Sequence, residues 1–446
     1  MIGLKGCRVI VIDDDEKEAM PILKAFAKKG IPTVFFDGTF RSVPAKRNRL
    51  SGVRLAILDM DLIGGRVDEK SKASALVKYL EKILNPQNGP YVMLVWTNHP
   101  ELQGLVENYL FSEKDIPTPI FTVRLTKAEC KNRSGGFDMA LISAKLSDAL
   151  SQFSPLLFMQ AWEGKCFEAA TDVTNSLSAL AVGDAAAFIK WRDLWKSNLL
   201  QLMCAMAKAE AGENLDPNSC LISLYGALNP LLTDKMESNM SELSILLGDK
   251  STEILSVSTE CGAERKARVN TMMHLSFENL RFFTAGNLYI FPSKRKPKWV
   301  PSSHQFLEDF AQKGRTPEET TKRIDEISAA SIPALIEVSA VCDHAQRHVR
   351  IARFIFGLIV PENQRKKLNT RSGFIWEFGP LFLDEKMATT GMYYLFFSAR
   401  HLVTLDIKQA EKLKAAARLR GEAFADLQTW FADHATRPGI ILLREK

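Results

Sequence analysis

The stretch Val9-Ile-Val-Ile-Asp-Asp-Asp15 decides the fold that this sequence predicts. Its four apolar residues indicate a short strand buried on both faces, as strands in parallel sheets are. The three aspartates end that apolar run abruptly, and residues 16–29 then carry apolar side chains at helical spacing, up to Gly30. A strand, a polar turn and an amphipathic helix in this order form the first unit of an α/β fold.

The same alternation of apolar runs and helical segments continues over roughly the first third of the chain. Strands are predicted over residues 9–12, 33–36, 53–58, 91–96 and 120–125. Helices are predicted over residues 16–29, 74–84 and 139–153, and a further one from Pro100, a residue suited to a first helical turn. Five such units predict a doubly wound, five-stranded parallel sheet covered on both faces.

The rest of the chain predicts two further regions. Long helices are expected over residues 164–211, with a less regular helical pattern over residues 221–247. Short β-prone runs follow at residues 288–291, 334–341, 354–360, 373–377 and 393–397, and residues 407–432 read as helical. We therefore predict three domains: the doubly wound domain over 1–153, a helical region over 154–265 and an α+β domain over 266–446. A small β-barrel flanked by helices is one form that the last domain could take.

Composition excludes several classes of protein. The 446 residues are 46% hydrophobic and 25% charged, which excludes a disordered chain. The formal net charge of +6 is too small for this length to mark a nucleic-acid binder. No apolar run approaches the roughly 20 residues that cross a bilayer, and no signal-peptide cleavage site follows the first strand. The seven cysteines are scattered without a CxxC pair, so we expect free thiols and a cytoplasmic location.

Polar residues follow four of the predicted strands. In an open parallel sheet the strand ends meet at one edge, where binding groups gather. The strand-end residues are Asp13, Asp14, Asp59, Asp61, Thr97 and Lys127.

This set of side chains suits phosphoryl transfer to a carboxylate. Several carboxylates close together repel one another and favour a hard divalent cation, for which Mg²⁺ is the natural choice. Asp59 would attack as the nucleophile, and Lys127 would supply positive charge to the phosphoryl oxygens. Thr97 would hydrogen-bond a phosphoryl oxygen once Asp59 is modified. Taken singly, these residues are more often helix caps and solvated surface groups.

The motifs themselves resemble a known family. Val9-Ile-Val-Ile-Asp-Asp-Asp15, Ala56-Ile-Leu-Asp-Met-Asp-Leu62, Val92-Met-Leu-Val-Trp-Thr97 and Val123-Arg-Leu-Thr-Lys127 are similar to the receiver domain of two-component response regulators. The resemblance covers about the first third of the chain. It implies a flavodoxin-like fold and phosphorylation on an aspartate by a partner sensor histidine kinase.

The resemblance also assigns roles by matching position. Asp59 is the phospho-acceptor, and Thr97 and Lys127 are the hydroxyl and ammonium groups. The implied Mg²⁺ ligands are Asp13, Asp14, Asp59 and the backbone carbonyl of Asp61. Arg124 stands where receivers tend to carry an aromatic switch residue, so the usual signalling switch is altered.

The output is open at this stage. No helix-turn-helix with a basic second helix is recognisable, so residues 154–446 would serve as a partner-binding switch, or the protein as a phosphate sink. Receivers with large uncharacterised tails resemble components of bacterial phage-defence signalling, including Detocs-like systems. A homodimer and a downstream protein partner stay open. The alternative is an effector enzyme or a scaffold in the C-terminal part, with a regulatory or inactive pseudo-receiver.

Weaker signals occur in the C-terminal part. Cys342, His344 and His348 have a spacing that would suit zinc, but no fourth ligand is recognisable nearby. A buried cysteine followed by a polar helix is the more ordinary interpretation. A nucleophilic pair of Cys342 with His401 or His434 is possible, but nothing in the sequence places these residues together. Basic clusters at residues 294–298 and 365–367 are more often solvated than nucleic-acid binding.

Overall fold

The computed structural model divides the chain into two compact units. One consists of Met1–Asp172 with Asp234–Val257, and the other of Val173–Thr233 with Ser258–Lys446. The residues that the structure describes are 8–60, 62, 68–97, 102–113, 115–127, 129–130, 138, 140–142, 144–145, 148, 154–182, 187–212, 217–238, 261–278, 280, 283–291, 304–345, 349–384 and 391–435. Within these ranges no helix has the length and apolarity needed to cross a membrane. The predicted three-domain division stays a prediction.

The first unit alternates strands and helices. Its strands are β1 (Val9–Ile12), β2 (Thr33–Phe36), β3 (Leu55–Leu58), β4 (Val92–Thr97) and β5 (Phe121–Thr126). Its helices begin with α1 (Glu16–Lys28), α2 (Glu69–Ile83) and α3 (Gln103–Ser112). The strands form one parallel sheet in the order β2-β1-β3-β4-β5. This order is that of a doubly wound, flavodoxin-like fold, which confirms the predicted fold class.

The strand β1 shows why the sheet is covered on both faces. All four of its residues are buried, and successive side chains point to opposite faces of a strand. Ile10 and Ile12 pack into the cluster that includes residues of α2 and α3. Val9 and Val11 pack into a second cluster, which includes residues of α1. An uninterrupted apolar run is therefore what this position in the sheet requires.

Helix α2 begins earlier than the apolar pattern predicts. It starts at Glu69, whereas the spacing of apolar residues predicts a start at residue 74. The reason is a helix cap: the side chain of Asp68 accepts a hydrogen bond from the backbone N–H of Ser71 at 3.0 Å. The predicted helix over residues 139–153 lies mostly outside the described residues.

Three long helices follow, and then the α+β part of the second unit. The long helices are α4 (Ser154–Leu180), α5 (Phe188–Ala211) and α6 (Pro217–Ser238). The later helices are α7 (Ala263–His274), α8 (His304–Glu308), α9 (Pro317–Ala330), α10 (Val341–Ala345), α11 (Ile407–Ala410) and α12 (Gly421–Ala435). The later strands are β6 (Leu275–Ser276), β7 (Asn287–Ile290), β8 (Ile332–Glu337), β9 (Ile351–Pro361), β10 (Ile375–Leu381), β11 (Tyr393–Asp406) and β12 (Ala417–Leu419).

The second sheet has seven antiparallel strands in the order β10-β11-β9-β8-β7-β12-β6. An α+β C-terminal part is thus confirmed. In the residues described here the sheet is open, with β10 and β6 at its two edges, and so is not the small barrel considered above. The continuous helix expected over residues 407–432 is wrong, because Ala417–Leu419 forms strand β12. Its pairing with β6 and β7, far away in sequence, overrides the local helical pattern.

Candidate functional site

The pairing of β1 with β3 brings the first two acidic residues together. Ile12 lies opposite Leu58 in the parallel register, so Asp13 and Asp59 leave the sheet side by side. The backbone N–H of Asp59 donates a hydrogen bond to the carbonyl oxygen of Ile12 at 2.9 Å. Both carboxylates are buried, with 1% of Asp13 and 5% of Asp59 exposed. Two buried acids at one strand edge mark a site, because burial of a charge is costly unless something compensates it.

The three consecutive aspartates have three different surroundings. Asp13 accepts a hydrogen bond from the backbone N–H of Asp15 at 2.9 Å. Asp15 is the N-cap of helix α1, and its side chain accepts from the backbone N–H of Lys17 at 2.8 Å. Asp14 is exposed. The helix-cap interpretation of this run is therefore correct for Asp15 only, and the other two carboxylates are left for the site.

Three carboxylates converge closely enough to share a cation. One oxygen from each of Asp13, Asp14 and Asp59 lies within 4.8 Å of the others, and in the described part of the chain this is the one such group. The donors are all carboxylate oxygens, two buried and one open to solvent, which fits a hard divalent ion that keeps some of its water. The predicted fourth ligand, Asp61, lies outside the described residues.

Lys127 lies at the centre of the acidic residues. Its ammonium Nζ is 2.8 Å from Oδ2 of Asp59, 3.1 Å from Oδ2 of Asp13 and 2.6 Å from Oε2 of Glu18. Only 4% of the lysine side chain is exposed. A protonated lysine has three N–H donors, so these three carboxylates account for all of them.

Glu18 is the residue that the sequence analysis did not single out. It lies in the first turn of α1, three positions after the cap Asp15, and its side chain is 28% exposed. An acidic residue there is common in a first helical turn, where it stabilises the positive end of the helix dipole. Nothing in the local pattern indicates that its carboxylate reaches a lysine 109 positions away.

The electrostatics of the site follow from burial and from these ion pairs. Burial raises the pKa of Asp13 to about 6, against the opposing effects of the Asp15 backbone N–H and of Lys127. Burial by itself would lower the pKa of Lys127, but hydrogen bonds to Asp59 and Glu18 and the charges of Asp59 and Asp13 raise it overall. The lysine is therefore fully charged at neutral pH, which a group that neutralises phosphoryl oxygens needs.

The structure also gives the positions of Thr97, the predicted hydroxyl group, and of Arg124. Thr97 is fully buried at the end of β4, and its carbonyl oxygen accepts a hydrogen bond from the backbone N–H of Lys127 at 3.3 Å. The two residues thus end neighbouring strands at the acidic edge. Arg124, at the position where receivers tend to carry an aromatic residue, is exposed on β5.

The strand order and the acidic edge agree with what the family resemblance implies. The first unit has a flavodoxin-like fold and an acidic cluster at one edge of its sheet, which is consistent with a receiver domain. In this unit the two buried acids follow β1 and β3, and the lysine follows β5. The sequence therefore predicted correctly which strand end carries each of these groups.

Comparisons with known proteins do not assign a family to this chain. No protein-family model matches the sequence, and no curated protein matches it. Among solved structures, the chain matches the crystal structure of full-length FixJ from B. japonicum with 14% sequence identity and a TM-score of 0.23. The match covers 55% of this chain and 98% of that chain. A TM-score this low carries no argument about this chain.

The C-terminal residues singled out from the sequence have structural partners. Nε2 of His344 is 2.9 Å from Oε2 of the buried Glu337, and the His344 side chain is 6% exposed. Nε2 of His401 is 2.8 Å from Oδ2 of Asp309. The side chain of Cys342 and the whole of His348 lie outside the described residues, so the zinc hypothesis is untested.

The basic cluster over residues 365–367 is partly neutralised. Arg365 pairs with Glu377, and Lys367 pairs with Glu326. Binding to a nucleic-acid backbone needs cations that can neutralise phosphates, and cations already paired with carboxylates are poorly suited to this. The other basic cluster, residues 294–298, lies outside the described residues.

Proposed function

We propose that the receiver domain accepts a phosphoryl group on Asp59 from a sensor histidine kinase. The observation that carries this proposal is the convergence of Asp13, Asp59 and Lys127, three buried charged groups from three strands. A structural ion pair needs only one acid and one base. An excess of buried acid around one lysine is instead typical of a site that binds a cation and then an anionic group.

Three residues of the site, Asp59, Lys127 and Thr97, each have a defined part in this transfer. A carboxylate oxygen of Asp59 attacks the phosphorus of the donor, the new O–P bond forms, and the bond from phosphorus to the donor breaks with its electron pair leaving on the donor. Lys127 neutralises a phosphoryl oxygen. Thr97, which ends the neighbouring strand, would donate its hydroxyl to another.

The acidic edge is suited to Mg²⁺. Asp13, Asp14 and Asp59 would hold the ion, with the backbone carbonyl of Asp61 as the fourth protein ligand that the family resemblance implies. When bound, Mg²⁺ would reduce the repulsion between the phosphoryl oxygens and the attacking carboxylate.

The role of the rest of the chain follows as part of the same proposal. With no recognisable DNA-binding element, residues 154–446 would act as a partner-binding switch, or the protein would act as a phosphate sink for its kinase. We place this signalling in the cytoplasm, on the basis of the scattered cysteines, and in bacterial antiphage defence, on the basis of the family resemblance alone.

Phosphorylation of the full chain by acetyl phosphate tests the proposal. With Mg²⁺ present, we expect intact mass to increase by about 80 Da, the mass of one added HPO₃ group. The gain should be lost in Asp59→Asn and when EDTA replaces Mg²⁺. Asp37→Asn is a matched control, because Asp37 is an exposed aspartate that follows β2 and bonds only loop groups of Thr39 and Ser42 in the contacts described here.

A negative result is made decisive by a second measurement. Beryllofluoride mimics a phosphoryl group on aspartate and needs no phosphoryl donor to bind. Asp59 is not a phospho-acceptor if two results are both negative for the wild-type chain: acetyl phosphate leaves its mass unchanged, and beryllofluoride with Mg²⁺ does not raise its thermal stability.

A further inference from the structure

The ammonium of Lys127 has no donor left for a phosphoryl group. Its three N–H groups are matched by three carboxylates, at 2.6 Å to Glu18, 2.8 Å to Asp59 and 3.1 Å to Asp13. A phosphoryl group on Asp59 brings new anionic oxygens, which form strong, charge-assisted hydrogen bonds. An incoming phosphoryl group therefore has to displace one of these partners before the lysine can neutralise it, because Asp59 gives up its carboxylate charge only when the transfer is complete.

The three partners differ in how easily they can leave. Asp13 is buried, and its other oxygen is held by the backbone N–H of Asp15 at 2.9 Å. Asp59 is the nucleophile, so the donor that it holds is freed only once the new O–P bond has formed. Glu18 is 28% exposed, at the solvent side of the first turn of α1, where water can hydrate its carboxylate after release. Releasing Glu18 costs the least, because an exposed carboxylate regains hydration that a buried one cannot.

We propose that Glu18 is a latch on the receiver site: it holds Lys127 while Asp59 is unmodified and releases it to the phosphoryl group. This inference rests on the proposed function and deepens it by naming a regulatory residue. Glu18 is a positioning residue, since it acts through Lys127 and not on the phosphoryl group itself. It also places a fourth negative charge close to the path of an anionic donor, beside those of Asp13, Asp14 and Asp59.

The latch slows phosphorylation, so removing its charge should accelerate it. In Glu18→Gln the lysine has a free donor and the approaching donor meets one less negative charge. We expect phosphorylation by acetyl phosphate to be about fivefold faster, which corresponds to about 1 kcal/mol at about 1.36 kcal/mol per tenfold change. Glu18→Ala should act in the same direction, so the result does not depend on how a glutamine side chain packs.

The matched control is Glu16→Gln. Glu16 is exposed on the same first turn of α1 and loses the same charge, but it has no described contact with Lys127. Its phosphorylation rate should stay within about twofold of wild type, as exposed charges contribute little. The lifetime of the phosphorylated state, measured after the donor is removed, should be equal in Glu18→Gln and wild type, because Glu18 has already left the lysine in that state. A general loosening of the site would change both rates.

The experiment is a time course of intact mass on the full chain with acetyl phosphate and Mg²⁺. Faster phosphorylation in both Glu18 variants, with an unchanged lifetime and an unchanged Glu16→Gln, supports the latch. Phosphorylation of wild type at the same rate as Glu18→Gln overturns the latch and leaves the proposed function standing. If no variant gains phosphate and beryllofluoride is also without effect, the proposed function fails and the latch fails with it.

Discussion

Replacing Asp13 with asparagine should stabilise the first unit at neutral pH but not at acidic pH. Burial raises the pKa of Asp13 from 3.8 to about 6. As pH rises through this range, the unfolded chain loses the Asp13 proton before the folded one does, so unfolding becomes easier. The wild-type chain therefore bears nearly the full cost of the buried charge above about pH 6, and bears almost none of it below about pH 3.

The size of the effect follows from the pKa shift. A shift of about two units at about 1.36 kcal/mol each makes the ionised Asp13 cost about 3 kcal/mol. Asparagine removes this cost, and it keeps an oxygen for the Asp15 backbone N–H. The favourable interaction with Lys127 is already contained in this shift, and an imperfect fit of the amide in the buried site costs about 1 kcal/mol. The net expectation for Asp13→Asn is a gain of about 2 kcal/mol in the free energy of unfolding at neutral pH.

Hydrogen exchange read by mass spectrometry on the full chain measures this gain locally. Peptides from β3 and β4 should exchange about thirtyfold more slowly in Asp13→Asn than in wild type at about pH 7, with EDTA present. At about pH 3 the two proteins should exchange nearly alike, because Asp13 is then mostly protonated in both states. A gain of the same size at both pH values would refute the argument from burial, since it would not depend on ionisation.

Three further predictions test other parts of the molecule. In Lys127→Met, the buried carboxylates of Asp13 and Asp59 lose their cation, so urea denaturation should show a loss of about 3 kcal/mol in the free energy of unfolding at about pH 8. The loss should be smaller near about pH 5, where Asp13, with its pKa of about 6, is protonated in the folded chain; equal losses would contradict the coupling. In Glu163→Gln, the ion pairs with Arg8 and Arg54 are lost. Burial by itself would raise the pKa of Glu163, but the two arginines lower it overall. The ion pairs therefore stabilise the folded chain above about pH 4.5, and this stabilisation disappears as pH falls. Because the carboxylate is about a third exposed, the free energy of unfolding measured with urea should fall by only about 1 kcal/mol at neutral pH. A loss of the same size near about pH 3 would contradict this account of the ion pairs. In Gly357→Ala, the new Cβ would overlap the carbonyl oxygen of Phe396, so the second unit should lose about 3 kcal/mol or more; an unchanged melting temperature would show that β9 and β11 separate freely.

The sequence alone determined the fold of the first unit and most of its acidic edge. Each strand there is a short apolar run, and the position of its last residue follows from the first polar residue after it. Asp13, Asp59, Thr97 and Lys127 are predictable as neighbours because the ends of parallel strands meet at one edge, whatever the length of the connecting segments. Local composition is enough for this, since both faces of such a sheet must be apolar.

Only the tertiary structure decided which partners the charged groups select. The contact of Glu18 with Lys127 joins residues 109 positions apart, and it depends on how far two long side chains reach across the site. No local pattern encodes that distance. Strand β12 is a similar case: residues 417–419 have helical surroundings in sequence, and their pairing with β6 and β7 makes them a strand. In both cases a long-range contact outweighs a weak local preference, because packing and ion pairing in a buried setting contribute more free energy than propensity does.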